Sequence, residues 1–283
     1  MHDVPTENVP QADHGRYYSF DWGNAHFICL DSNTPLQRAV TADGEMLRWL
    51  ERDLRATRKF WRIAVMHHPP FAGGPNQAEV SSSIVRGRIV PILEKYGVQL
   101  VFSGHEHSYQ RSHHLRNGSA VAANTGTVYL TTGGGGALLY PVNTIPQIAV
   151  SRSTHHYLTV EVDGASIRLV ATTHEGTVVD RATLSPLPAL VDDGRLPVAI
   201  TPLGVGSLVR ILGRSLAVEE QFGAVAAGSP EMGQTTVAVD GTALSLIYVS
   251  STQIWARSPA PIQGSFVLKI TNPNGSLETT IRS

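Results

Sequence analysis

Two apolar stretches of the sequence each end in a pair of histidines. His67 and His68 close the first stretch, and His105 and His107 follow the second across a Ser-Gly turn. Neutral imidazole is a common ligand for zinc, iron and manganese in proteins. These residue types therefore indicate a metal site, provided that the fold brings the two stretches together.

The spacing of His105 and His107 predicts that their side chains share one face. Successive side chains of an extended chain point to opposite sides, so residues i and i+2 point the same way. Glu106 lies between them and is expected to point away from the pocket. Two alternatives involve no metal: a solvated loop that carries incidental histidines, or histidines that only cap the ends of strands.

The segments around these histidines alternate between strand and helix patterns. Residues 62–66 and 98–102 are apolar runs typical of buried strands, whereas 43–57 and 82–96 show the spacing of amphipathic helices. Pro91 predicts a kink or a late start in the second helix. This alternation predicts an α/β sheet with helices on its faces. In open α/β sheets ligands gather at the carboxyl ends of strands, which is where both histidine pairs fall.

The composition changes sharply after His174. All 12 histidines lie between His2 and His174, and the remaining residues are rich in Val, Ser, Thr, Gly and Leu. Prolines and a glycine punctuate residues 185–196, so we expect a linker there. Short strand patterns separated by turn residues recur from 197 to 283 and predict a β-sandwich. The expected organisation is an α/β domain over 1–184 followed by this all-β domain.

The histidine motifs resemble those of a known enzyme family. Val-Met-His-His-Pro-Pro-Phe (65–71) and Phe-Ser-Gly-His-Glu-His-Ser-Tyr-Gln-Arg (102–111), in this order, are similar to the calcineurin-like metallophosphoesterases, and most of all to the purple acid phosphatase branch. The resemblance implies that the α/β region is part of the family's α/β/β/α sandwich. It also implies a hydrolase that cleaves phosphate ester bonds with a metal-bound hydroxide.

The family's metal ligands carry over to three positions of this sequence. The resemblance implies that His67 and His105 share one ion and that His107 binds its neighbour. His68 is the alternative to His67 if the register differs by one residue. The cofactor implied is a pair of divalent or trivalent ions, Fe, Zn or Mn.

The start of the chain resembles only the end of the family's Gly-Asn-His block. Met1 stands where that block has its asparagine ligand, and the resemblance implies that His2 contacts the phosphate. The aspartate motifs that precede the block have no counterpart here, so we expect the domain to lack its N-terminal half. His107 is then the one recognisable ligand of its ion. Tyr109 and Arg111 are candidates to support the ligands.

Parts of the all-β region resemble the IPT/TIG type of Ig-like domain. The resemblance is carried by Val-Ala-Val-Asp-Gly (237–241), Tyr-Val-Ser-Ser-Thr-Gln-Ile (248–254) and Ile-Thr-Asn-Pro-Asn-Gly (270–275). Such domains usually serve as spacers or adhesion modules, so the resemblance implies contact with protein or polysaccharide. No catalytic constellation is expected in this region.

Three interpretations follow. The chain is the C-terminal part of a metallophosphatase, or it is an active enzyme that completes its metals with other carboxylates or an oligomeric partner. The third alternative is an inactive or truncated phosphatase that acts as a binding or adhesion protein through its Ig-like domain.

Charge and composition argue against some partners. The net charge is −1 over 283 residues without runs of one sign, which gives no electrostatic case for nucleic acid. No stretch has the length and apolar character of a membrane span, and the first residues lack a signal-peptide pattern. Cys29 is the one cysteine, so no intrachain disulfide is expected. For a full-length parent, the resemblance implies a secreted, periplasmic or cell-surface location.

Overall fold

The chain divides into two compact units. The computed structural model describes residues 4–7, 9–33, 44–186, 189–190, 205–223, 228–262 and 264–281. The first unit comprises Met1–Thr57, Trp61–Val162 and Ile167–Leu184, and the second comprises Arg58–Phe60, Asp163–Ser166 and Ser185–Ser283.

A mixed sheet forms the centre of the first unit. Its described strands are β1 (Tyr18–Trp22), β2 (Ala25–Cys29), β3 (Trp61–Met66), β4 (Leu100–Ser103), β5 (Tyr109–Arg116), β6 (Ser119–Ala120), β7 (Thr127–Thr132) and β8 (Ile148–Arg152). They lie in the order β1-β2-β3-β4-β7-β5-β6, with β8 also paired to β5. The pairs β2–β3, β3–β4 and β4–β7 are parallel.

The parallel register brings the ends of β3 and β4 together. Met66, the last residue of β3, pairs with Ser103, the last residue of β4. Both strands are almost entirely buried, as expected for parallel strands with covered faces. The residues that follow Met66 and Ser103 therefore emerge side by side at one edge of the sheet.

Helices cover this sheet through an apolar core. Helix α1 (Glu45–Ala56) buries Met46, Leu50 and Leu54 in the same cluster as Val101 of β4. Among the described residues, no helix is long and apolar enough to cross a membrane.

The second helical segment is interrupted. It runs through α2 (Val80–Ile84), a π-helical turn (Val85–Ile89) and α3 (Val90–Lys95). Pro91 lies in the first turn of α3, where its missing N–H costs no intrahelical hydrogen bond. The sequence pattern predicted that this segment begins at residue 82, two residues after its observed start at Val80. The interruption predicted from Pro91 is present.

A smaller antiparallel sheet completes the first unit. It consists of β9 (His156–Asp163), β10 (Ser166–Thr173) and β11 (Val178–Leu184), in the order β11-β10-β9. A mixed α/β sheet with few helices is the class that the sequence predicted for this region, and that prediction is confirmed.

The second unit is all-β. Its described strands are β12 (Ala189–Leu190), β13 (Leu208–Arg214), β14 (Gln221–Phe222), β15 (Glu231–Met232), β16 (Thr235–Val239), β17 (Thr242–Ala243), β18 (Ser245–Val249), β19 (Gln253–Arg257), β20 (Phe266–Asn272) and β21 (Gly275–Ile281). They form two sheets, ordered β12-β13-β19-β18-β14 and β15-β16-β20-β21, with β17 beside β16.

Both sheets of the second unit contribute to one core. Ile211 and Ile254 from the first sheet share a buried cluster with Val237 and Ile270 from the second. This is the arrangement of a β-sandwich, as predicted for the class of fold. Within the linker expected over 185–196, Ala189–Leu190 pairs with β13. The rest of that segment lies largely outside the described residues.

Candidate metal centre

Three histidines meet at the edge where β3 and β4 end. His67 and His68 follow β3 directly, and His105 follows β4 after Gly104. One ring nitrogen from each lies within 4.8 Å of the others. The ring centroids are 4.9 Å apart for His67–His68 and for His67–His105, and 4.6 Å for His68–His105. We call these three residues the histidine cluster.

The backbone turn after β4 sets the direction of His105. The Gly104 N–H donates to the His67 carbonyl at 3.0 Å, which ties the two strand ends together. His105 then has φ = 65°, in the left-handed region that non-glycine residues rarely adopt. Such backbone strain is concentrated at functional sites. The sequence-based expectation of an extended chain through 105–107 is wrong, since these residues form bends.

Ser32, after β2, organises the loop that carries His67 and His68. Its hydroxyl oxygen accepts the backbone N–H of His67 at 3.1 Å and that of His68 at 3.0 Å. The same oxygen lies 3.0 Å from Nδ1 of His68. Ser32 and His68 are both buried, at 1% and 7% exposure. This serine therefore fixes both the backbone and one ring of the cluster.

His105 is held at both ring nitrogens. Nδ1 of His105 lies 3.1 Å from Nε2 of His67, and its Nε2 lies 3.0 Å from Oε2 of Glu79. Ser81 donates its hydroxyl to the same Glu79 oxygen at 3.2 Å. The contact with His105 lowers the pKa of the Glu79 carboxyl, which keeps it ionised at neutral pH. A carboxylate only accepts hydrogen bonds, so Nε2 of His105 is the donor.

The environment of His67 and His68 favours neutral imidazoles. Burial, with the neighbouring histidines, lowers the pKa of both His67 and His68. Neutral imidazole is the form that binds a metal ion.

Glu106 holds the loop that precedes α2 through a hydrogen bond to its backbone. The residue is fully buried, and Oε1 accepts the Asn76 N–H at 2.7 Å. Oε2 has no hydrogen-bond partner in the described part of the protein and faces Gly74, where an added Cβ would lie 1.9 Å away. Burial raises the pKa of this carboxyl.

His107 is the predicted ligand that the structure does not bring into the cluster. Its Nδ1 lies 2.8 Å from the Leu138 carbonyl oxygen, and its ring stacks on Tyr140 with centroids 4.2 Å apart. Nδ1 must donate in that contact, which leaves Nε2 as the nitrogen with a free lone pair. The other predicted site residue, His2, lies outside the described residues.

Tyr109 and Arg111 have a different partner from the one expected. The Tyr109 hydroxyl donates to Asp180 at 2.7 Å, and Arg111 donates to both oxygens of Asp180, at 2.6 and 3.2 Å. These contacts join β5 of the large sheet to β11 of the small one. Their role is to tie two sheets together.

Two residues of this region carried no functional prediction. Ser32 follows an apolar run, Phe-Ile-Cys-Leu, so its place at the carboxyl end of a strand was a usable signal. Glu79 lies 26 residues before His105 in the sequence, and no local pattern links them.

The cluster suits a single transition-metal ion. His67 and His105 can both offer a ring nitrogen to one ion, and His68 lies directly beside them. Among the described residues, this is the one group of three or more possible His, Cys, Asp or Glu ligands. The second ligand set of a two-metal centre is not assembled there.

Comparison with known proteins agrees with the fold and the motifs. Residues 5–109 match the model of the calcineurin-like phosphoesterase family. Purple acid phosphatase 23 of Arabidopsis thaliana is 33% identical over 140 residues, which are 45% of this chain and 28% of the relative. Acid phosphatase type 7 of Mus musculus is 28% identical over 204 residues, 61% of this chain and 47% of the relative.

A solved structure shares the fold. The purple acid phosphatase PPD1 from yellow lupin (Lupinus luteus) seeds aligns with a TM-score of 0.52 at 20% identity, over 60% of this chain and 32% of the lupin chain. This chain thus spans less than half the length of each of these three relatives.

The candidate metal site thus lies at the edge of an α/β sheet, where the carboxyl ends of adjacent parallel strands meet. The family match makes the assignment specific to the first unit: residues 5–109 are a calcineurin-like phosphoesterase domain, with purple acid phosphatases among the relatives of this chain. The family is a dinuclear metal-dependent one, as the motifs implied.

Proposed function

We propose that this protein hydrolyses phosphate esters in a metal-dependent reaction at the histidine cluster. The observation that carries the proposal is the convergence of His67, His68 and His105 within 4.8 Å in a calcineurin-like domain. The names of the relatives, which are acid phosphatases, support a phosphate ester as the substrate class.

We assign His67 and His105 as ligands of one ion, Fe, Zn or Mn, with His107 reserved for a neighbouring ion. A bound ion of this kind supplies Lewis acidity toward a phosphoryl oxygen and lowers the pKa of a water molecule. His67 and His105 supply ring nitrogens to the same point, and Gly104 holds their backbones together. His2 remains the proposed phosphate contact from the sequence, although it lies outside the described residues.

For the second unit we propose an Ig-like domain of the IPT/TIG type over 197–283. Two antiparallel sheets around one core support it. The binding or adhesion role of this unit stays a prediction, because no contact of the described residues favours a particular partner.

The proposal is tested by metal content and hydrolysis of an aryl phosphate on the same purified sample. His67→Ala and His105→Ala should each lower both quantities by more than the roughly 10–100-fold typical of a change outside the ligand shell. His113→Ala, an exposed histidine on β5, is the matched control and should change neither. Unchanged metal content and turnover in both ligand variants would contradict the proposal.

A further inference from the structure

The hydrogen bonds around Ser32 determine which nitrogen of His68 carries a proton. A hydroxyl group has one hydrogen to donate and two lone pairs to accept with. The N–H groups of His67 and His68 use both lone pairs of Ser32, at 3.1 and 3.0 Å. The Ser32 hydrogen is therefore left for Nδ1 of His68, which lies 3.0 Å away.

This places the ring proton of neutral His68 on Nε2. Nδ1 accepts the hydroxyl hydrogen, so its lone pair is already used. Nε2, the ring nitrogen of His68 that does not contact Ser32, is then an N–H donor and has no lone pair with which to bind an ion. His68 is only 7% exposed, so the contact with buried Ser32 is shielded from competing water.

His105 is the opposite case. In the neutral ring its Nε2 donates to Glu79 at 3.0 Å, so Nδ1 accepts from Nε2–H of His67 at 3.1 Å, and an ion bound between these two nitrogens would displace that proton. The centroid of the His68 ring lies 4.6 Å from that of His105. The cluster thus combines a ligand-type nitrogen on His105 with a donor-type nitrogen on His68.

We propose that His68 binds an anion: its Nε2–H donates to an oxygen of the phosphate group that the metal at His67 and His105 holds. The inference rests on the proposed function and deepens it, since it separates ligands from substrate contacts within one cluster. A donor beside a metal-bound phosphate stabilises its negative charge, and hydrogen bonds to charged groups are the stronger ones.

The experiment compares two affinities in the full chain. Co²⁺ affinity is followed by its visible absorption, and inorganic phosphate affinity of the Co²⁺-loaded protein by calorimetry. His68→Ala should leave Co²⁺ affinity within about threefold and weaken phosphate binding about tenfold or more. His68→Gln, whose amide can still donate, should recover part of the phosphate affinity, and His113→Ala should change neither.

The outcomes separate this inference from the proposed function. Co²⁺ affinity that falls in His68→Ala as far as in His67→Ala would make His68 a ligand and overturn the inference alone. Phosphate affinity unchanged in His68→Ala would also overturn it. Failure of the unsubstituted protein to bind Co²⁺ would overturn the proposed function together with this inference.

A second measurement needs no variant, so it tests the inference even if His68→Ala does not fold. Long-range ¹H–¹⁵N spectra of the unsubstituted protein at about pH 8.5, above the ordinary histidine pKa, report the ring tautomer directly. The expected result for His68 is a protonated Nε2 and an unprotonated Nδ1. A protonated Nδ1 would overturn the inference whatever the binding data show.

Discussion

Two side chains outside the histidine motifs decide what the cluster presents to an ion. Ser32 occupies Nδ1 of His68, and Glu79 occupies Nε2 of His105. Each contact orients a ring and, under the proposal above, selects its tautomer. Partners of this kind around metal-binding histidines also raise the basicity of the ligand.

Removing the Glu79 carboxylate should weaken metal binding without removing a ligand. Glu79→Ala is expected to lower Co²⁺ affinity about 10–100-fold, since His105 loses the acceptor that fixes its Nε2–H. The Co²⁺ affinity of Glu79→Gln should lie between those of the unsubstituted protein and Glu79→Ala, because an amide oxygen can still accept the hydrogen bond from His105. The measurement is the Co²⁺ titration, with Glu161→Gln, an exposed carboxylate on β9, as the matched control. If Glu79→Ala bound Co²⁺ as tightly as the control, Glu79 would have no role in metal binding.

At the scale of residues, type and spacing were enough to select some of the candidate site residues. His67 and His105 could be identified because each follows an apolar run. His107 lies outside the cluster, against Leu138 and Tyr140, and these contacts join segments distant in sequence. The Glu79 contact joins two segments distant in sequence and depends on tertiary structure alone.

At the scale of elements, the loop that leads into α2 has several fixed points. The Gly73 N–H donates to Gln110 at 2.6 Å, and the Asn76 N–H to buried Glu106 at 2.7 Å. Arg86, on the π-helical turn, donates to the Pro70 carbonyl at 2.8 Å. Glu79 at the end of this loop is thereby held beside His105.

Gly74 is required in this loop for space rather than for backbone conformation. Its φ of −91° is open to any residue, but a Cβ would lie 1.9 Å from Glu106 Oε2. Gly74→Ala should therefore destabilise the protein by about 1–3 kcal/mol, as overpacking does. Urea unfolding followed by tryptophan fluorescence measures the change. Gly135→Ala is the control, because nothing lies within 4 Å of its added Cβ. Equal stability of the two variants would contradict this prediction and show that the loop shifts to accommodate the added Cβ.

The strand ends were predictable at this scale, whereas the packing of the loop was not. Residues 61–66 and 100–103 are apolar enough to be recognised as buried strands. The fit of Gly74 against Glu106 brings together positions 32 residues apart in the sequence. A glycine there reads only as a turn signal.

At the scale of the whole molecule, the two units have separate hydrophobic clusters. One contains Trp49, Leu50 and Val101, and the other contains Val237, Ile254 and Ile270. Unfolding of the chain should not be treated as one two-state transition. In the sequence, the signal for a domain boundary was the composition shift after His174, because no histidine follows it.

The stability of the first unit should carry a pH dependence from His26. This buried ring on β2 lies 2.7 Å from Asp21 of β1 and 2.8 Å from Asp53 of α1. Burial alone lowers the pKa of His26, but the hydrogen bonds and charges of Asp53 and Asp21 outweigh it and raise the pKa above 6.5. A raised pKa adds stability that is complete below the ordinary value and is lost as pH rises through the raised one.

The comparison that isolates this contribution is the unsubstituted protein against His26→Gln. Burial lowers the pKa of His68, His114 and His156, which contributes the opposite slope to both proteins and cancels in the difference. The stability lost on substitution should be largest near pH 5.5, about 1–3 kcal/mol, and smaller near pH 9. Tryptophan fluorescence during urea unfolding measures it, because three of the four tryptophans, Trp22, Trp49 and Trp61, lie in the first unit. His113→Gln, at an exposed position of β5, is the matched control. A loss of stability in His26→Gln that is equally large at both pH values would contradict the prediction, because it would mean that the positive charge of His26 does not contribute to stability.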